Sequence, residues 1–98
     1  MILKEKEKEI VWSVAKNQQL VNERGLSFEA IVLAMQSGHL IASYPHPRVP
    51  HQRIFEVEVN HYVVVVPYVE NEEHIFLKTA FHSRKANKQV LKGKHSNE

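Results

Sequence analysis

The sequence predicts an α+β fold: two N-terminal helices packed on one face of a three- to four-stranded antiparallel sheet, followed by a short C-terminal helix. Three observations predict it. Residues 13–38 hold two segments with helical caps and stops. Residues 53–82 hold three strand-like segments separated by turn residues, and Ser83 then opens a basic stretch that begins like a helix. Of the 98 residues, 43% are hydrophobic and 24% charged, enough for one small core and too little chain for a second.

The first nine residues read as a charged, frayed leader. Lys4, Lys6 and Lys8 alternate with Glu5, Glu7 and Glu9, which sets like charges at i,i+4 and opposes a helix. A short strand, Ile10–Trp12, follows. Ser13 is placed to cap a first helix and Gly25 to stop it in the left-handed conformation. Ser27 caps a second helix, Phe28–Ser37, closed by Gly38. Its Phe28, Ile31, Val32 and Met35 recur at i, i+3, i+4 and i+7, the period of an amphipathic helix.

His39–Tyr44 reads as a short strand. Tyr44–His51 then holds three of the four prolines and reads as a stiff, extended loop poor in ladder donors. Arg53–Val59 alternates apolar and polar residues, and Asn60-His61 makes an acceptable tight turn. Tyr62–Val66 is continuously apolar, as a central strand is, and the strand extends to Val69 with Pro67 where its missing donor does no harm. Glu70–Glu73 is a polar turn, and His74–His82 a third long strand. Ser83 caps a helix from Arg84 to about Leu91, and residues 92–98 form a flexible basic tail. One domain thus spans residues 10–91, without internal repeats.

Composition removes several chemistries. Every acid is Glu, which weighs against calcium loops and the Asp clusters of many magnesium-dependent nucleases. Without Cys there are no disulfides, thiol nucleophiles or Cys-based zinc sites. No secretory h-region is visible, and the longest apolar run, Tyr62–Val69, is too short for a bilayer, so a cytoplasmic protein with no membrane contact is expected. The net charge of +2 is mild, but from Lys78 to Lys94 there are six Lys or Arg and no acid. Such a stretch attracts phosphate, or is simply a solvated helix face.

Counting from the two turns sets a register. A two-residue turn at Asn60-His61 and a four-residue turn at Glu70–Glu73 place Val57 beside Val64 and Thr79, and Phe55 beside Val66 and Leu77. That apolar face is expected to meet the helices. On the reverse face Glu56 falls beside Val65 and Lys78, and Glu58 beside Val63 and Ala80. His82 ends the third strand, and Arg84 follows. Histidine moves protons near neutral pH, Glu serves as a base, and Lys or Arg stabilises phosphate charge. The same alternation is also what any half-solvated antiparallel sheet shows, with Glu56 and Lys78 a surface pair. A metal reading built on His39, His46 and His51 lacks a ligand motif, so neither metal nor cofactor is expected.

Two stretches resemble the BrnT family of toxins within the wider RelE/ParE-like group. Trp12-Ser13-x-x-Lys16-Asn17 with Glu23-Arg24-Gly25-Leu26-Ser27-Phe28-Glu29-Ala30 is similar to the family's opening pattern. Ser83-Arg84-Lys85-Ala86 is similar to its closing one. Ser13 stands where the family has Asp, Arg24 where it has His, and His82 where a Ser is common. The resemblance covers residues 10–91 and implies a metal-independent endoribonuclease that blocks translation by using the RNA 2′-hydroxyl as nucleophile. It also implies neutralisation by a ribbon-helix-helix (CopG-like) antitoxin, through which the pair binds operator DNA. Arg84 matches the closing arginine of the pattern. His82, Lys78, Glu56 and Glu58 join it as catalytic candidates from the register, with Lys85 and Lys88 as RNA-binding candidates. The alternative is a toxin-like binding module that pairs with a DNA-binding antitoxin without catalysis.

Overall fold

Ser13 ends the first strand and starts the first helix. In the computed structural model, which describes residues 8–85, its hydroxyl accepts the Lys16 N–H at 3.1 Å, satisfying one of the donors a helix start leaves free. The strand before it is β1, Glu9–Trp12, and the helix after it is α1, Val14–Arg24. Gly25 stops α1 at φ 66°, a conformation that costs a residue with a Cβ. Ser27 caps α2, Phe28–Ala34, by accepting the Ala30 N–H at 3.1 Å. The helix runs on through a π-helical turn, Met35–His39, and ends where Gly38 takes φ 91°.

One side chain ties the two helices together. Asn17 accepts the Phe28 N–H at 2.8 Å and donates to Glu29 Oε1 at 2.8 Å. Phe28 itself is fully buried, with its ring centroid 5.6 Å from that of Trp12.

The remaining strands are β2 (Leu40–Pro45), β3 (Arg53–Val59), β4 (Tyr62–Glu70), β5 (His74–Leu77) and β6 (Phe81–His82). The order across the sheet is β1-β5-β4-β3-β2, with β6 paired to β4 beyond the end of β5. The expectation of an α+β fold with two early helices holds. The sheet departs from it, having six strands among the described residues and a mixed character, because β1 pairs in parallel with β5 from Glu9↔His74 to Trp12↔Leu77. Two helices and three strands separate β1 from β5, so a parallel pairing demands no tight turn. An ion pair, Lys8–Glu70 at 2.6 Å, and a His74–Glu9 contact at 3.4 Å flank its start.

The β3–β4 register is the one the Asn60-His61 turn predicts, with Phe55↔Val66, Glu56↔Val65 and Val57↔Val64. The next turn is tighter than expected. Asn71 accepts the N–H groups of Glu73 and His74 through its side chain and donates its own N–H to the His74 carbonyl. Tyr68 therefore faces Leu77, two positions away from the predicted alignment.

The third strand also breaks in two. Lys78 donates its N–H to the Pro67 carbonyl at 2.8 Å, but proline has no N–H to return. Beyond that point Phe81 faces Val65 and His82 faces Val64, so Thr79 and Ala80 together stand against Val66 alone. This is a bulge. Ala80 is wholly buried, and its carbonyl accepts Arg24 Nη1 at 2.7 Å.

Leu20, Leu26, Phe28 and Ile31 from the helical side close over Phe55, Val57, Val64, Val66 and Leu77 to form the core. The predicted C-terminal helix begins at Arg84 and Lys85; the rest of it, the tail 92–98 and the first seven residues lie outside the described residues. No helix among the described residues is long and apolar enough to cross a membrane.

The Asn17 bridge yields a stability prediction. Asn17→Ala leaves the part-buried Phe28 N–H without its acceptor, and urea denaturation should show a loss of about 1–3 kcal/mol. A loss below about 0.5 kcal/mol would mean that water replaces the bond freely.

Candidate functional site

The face of the sheet turned away from the helices carries Ile54, Glu56 and Glu58 from β3 beside Val63, Val65 and Pro67 from β4. It is not the polar surface that alternation suggests. Ile54, Val63 and Val65 are 6–8% exposed, and Glu56 is half-buried beside them. A carboxylate in such a place requires a hydrogen-bonding partner, since burial without one is costly.

The partner is Tyr44 on β2. Its hydroxyl donates to Glu56 Oε2 at 2.5 Å. The hydrogen bond, with burial and the charge of Glu56 behind it, pushes the Tyr44 pKa up to about 12. The phenol therefore keeps its proton at neutral pH and holds the carboxylate in one orientation. The sequence places Tyr44 where a short strand meets the proline stretch but sets no register between that strand and β3, so it does not pair Tyr44 with Glu56. In the structure β2 runs on to Pro45, and Tyr44 lies one step from the Ala42↔Glu56 pair.

Lys78 stands on the same face, paired through its backbone with Pro67, and its Nζ lies 5.2 Å over the Phe76 ring. Among the described residues no ion pair joins it to Glu56. The expected alignment of Glu56, Val65 and Lys78 is corrected here: the tighter turn sets Lys78 against Pro67, two residues along β4 from Val65, so it is offset along the sheet from Glu56 as well as one strand away. Glu58 is exposed at the far end of β3, its Oε2 3.9 Å from His61 Nδ1.

His82 does not join this group. The bulge turns it to the helix side, where its ring meets Tyr62 edge-on at 5.7 Å and lines a cleft of about 400 Å³ with Val21, Gly25 and Ser27. The predicted grouping of His82 with Glu56 and Lys78 is thus corrected: one inserted residue reverses the side on which every later side chain falls. Arg84 and Lys85 are exposed just past β6, where the Ser83 N–H donates to the Val63 carbonyl at 2.9 Å. Lys88 lies outside the described residues. No group of three or more His or Glu side chains among the described residues is arranged to hold a metal ion.

Residues 10–82, from the first strand to the last, match the family described as Domain of unknown function (DUF4258). The chain belongs to the DUF4258 family. The match ends at His82, so it takes in the sheet with the Tyr44–Glu56 pair and stops short of Arg84. No curated protein and no solved structure gives a match.

The Tyr44–Glu56 bond has a pH signature. A phenol whose folded pKa is raised from 10.0 to about 12 contributes stability that is complete below pH 10 and lost as the pH climbs through about 12. Ultraviolet titration should show a late tyrosine transition that disappears in Tyr44→Phe and moves down in Glu56→Gln. An unchanged late transition in Glu56→Gln would refute the assignment.

Proposed function

We propose that this DUF4258 protein is the toxin half of a type II toxin–antitoxin pair, a metal-independent endoribonuclease acting on RNA in the cytoplasm and held inactive by a ribbon-helix-helix antitoxin. The resemblance of residues 10–91 to BrnT-type toxins motivates the class. The observation that carries the chemistry is the Tyr44–Glu56 pair on the face away from α1 and α2, with Lys78 on the same face beyond β4.

In this reading Glu56, aimed by Tyr44, takes the proton from an RNA 2′-hydroxyl. The 2′ oxygen bonds to the adjacent phosphorus, the bond from phosphorus to the 5′ oxygen breaks, and that oxygen takes a proton from water. Lys78 stabilises the developing phosphorane charge as a point cation, and Arg84 does so as a two-point donor. His82, on the other face, takes no part. Operator binding by the complex would come through the antitoxin.

A second reading is favoured by one specific observation, the separation of His82 from the carboxylates. A domain without a proton-transfer pair pairs with its antitoxin and does not cut RNA.

Expression of the chain should arrest growth, and co-expression of a ribbon-helix-helix protein encoded beside it should restore it. Arg84→Ala should relieve arrest while shifting stability by no more than about 0.5 kcal/mol, as exposed substitutions do. Glu56→Gln should slow RNA cleavage by about a hundredfold or more. His82→Ala should cut at the parent's rate, and EDTA should change nothing. Antitoxin binding without RNA cleavage by the parent chain would establish the binding module instead.

A further inference from the structure

Between Glu29 and Glu56 the chain has no acidic residue, yet it carries Arg48, Arg53, His39, His46 and His51. The fold gathers the end of this stretch at one corner of the sheet. The β2–β3 loop is closed by the His46 N–H donating to the Gln52 carbonyl at 2.9 Å. It is also pinned from within, because His46 Nδ1 accepts the N–H groups of Arg48 at 3.0 Å and Val49 at 3.1 Å. Pro47 and Pro50 restrict it further. Arg48 is exposed on this ordered loop.

Arg53 begins β3 on the helix side of the sheet. Its Nε donates to the Tyr68 hydroxyl at 3.2 Å and its Nη2 to Ser43 Oγ at 3.4 Å, while those two hydroxyls lie 3.1 Å apart. Tyr68 is a rigid anchor, 3% exposed, with its ring stacked on Phe55 at 3.9 Å and 11°. Arg53 is half-buried, and its guanidinium is aimed by two neutral oxygens. Among the described residues no carboxylate pairs with it. Glu70, one step further along the same face of β4, is held by Lys8 at 2.6 Å.

A guanidinium stays charged across the physiological range and matches phosphate oxygens in a two-point contact. Fixed in advance by Tyr68 and Ser43, this one loses little side-chain freedom on binding. We propose that Arg53, with the Ser43 hydroxyl beside it and Arg48 on the adjoining loop, binds a phosphate of the RNA backbone and positions the strand. The inference rests on the RNA reading above and extends it to the opposite face. Because β2 is the edge strand, a single RNA strand passing round it meets Arg53 on one side and the Tyr44–Glu56 pair on the other. The acidic turn at Glu72 and Glu73 repels phosphate from the opposite route, over β4 and β5.

The test measures anisotropy of a labelled single-stranded RNA with the full chain carrying Glu56→Gln to suppress cleavage. Adding Arg53→Ala should weaken binding about tenfold. It should also flatten the salt dependence by about 0.7 in logarithmic slope, the loss of one phosphate contact. Arg53→Lys keeps the charge and the fold without the fork, and should fall between. Titration of the parent with inorganic phosphate should move the Arg53 Nε–H resonance saturably. Unchanged affinity and slope in both variants, with cleavage by the parent intact, overturns this inference and leaves the ribonuclease reading standing. A parent chain that binds no RNA overturns both. Loss of antitoxin binding with RNA binding unaffected assigns Arg53 to the protein interface and likewise overturns the proposal.

Discussion

The missing N–H of Pro67 decides how this sheet ends. β4 is flanked on both sides, so every residue along it owes a donor and an acceptor to its neighbours. At Pro67 the carbonyl is used by Lys78 and the donor does not exist. The ladder to β5 therefore weakens where Lys78 would have received a bond in return. The chain responds by inserting one extra residue, so that Thr79 and Ala80 face Val66. Ala80 suits the bend, since its methyl enters the core and its carbonyl finds the guanidinium of Arg24 at the end of α1. A helix terminus and a strand defect thus satisfy each other.

From that bend follows the distribution of chemistry over the two faces. Without it, His82 would stand with Glu56 and Lys78; with it, Phe81 takes that side and His82 turns toward Tyr62. What remains opposite the helices is a half-buried carboxylate held by a phenol, with an ammonium a strand away. That set is poorer in proton donors and better organised than the one counting suggests. The Tyr44–Glu56 bond removes the rotational freedom an exposed glutamate keeps, and the neighbouring valines lower the local dielectric in which it acts.

Legibility in the sequence followed the range of the interactions involved. Ser13, Gly25 and Ser27 act within a few residues of themselves, and the helix limits they impose appear in the structure as read. The Asn60-His61 turn fixes β3 against β4 for the same reason, and both of its residues take positive φ. The Asn71 side-chain turn, two residues tighter than the one assumed, shifted the next pairing. Pro67 is visible in the sequence, but the bulge it forces lies on the neighbouring strand, where nothing local marks it. Longer-range features had no local sign. The parallel seating of β1 depends on an edge left free by β5, and the partnership of Tyr44 with Glu56 depends on β2 continuing into the proline segment.

The opening motif now has a physical account in which each member is structural. Trp12 packs on Phe28, Ser13 and Ser27 cap, Gly25 turns, and Asn17 bridges to Phe28 and Glu29. Arg24, at the end of α1, also holds the bulge through the Ala80 carbonyl. None of these side chains reaches the face away from α1 and α2. Chains can therefore share this opening and build different sites on the far side of the sheet. The acid-free stretch from β2 into β3 lies outside the motif. The stretch contributes Tyr44 to one face and Ser43 and Arg53 to the other, so the edge strand β2, by alternating its side chains, links both faces of the sheet.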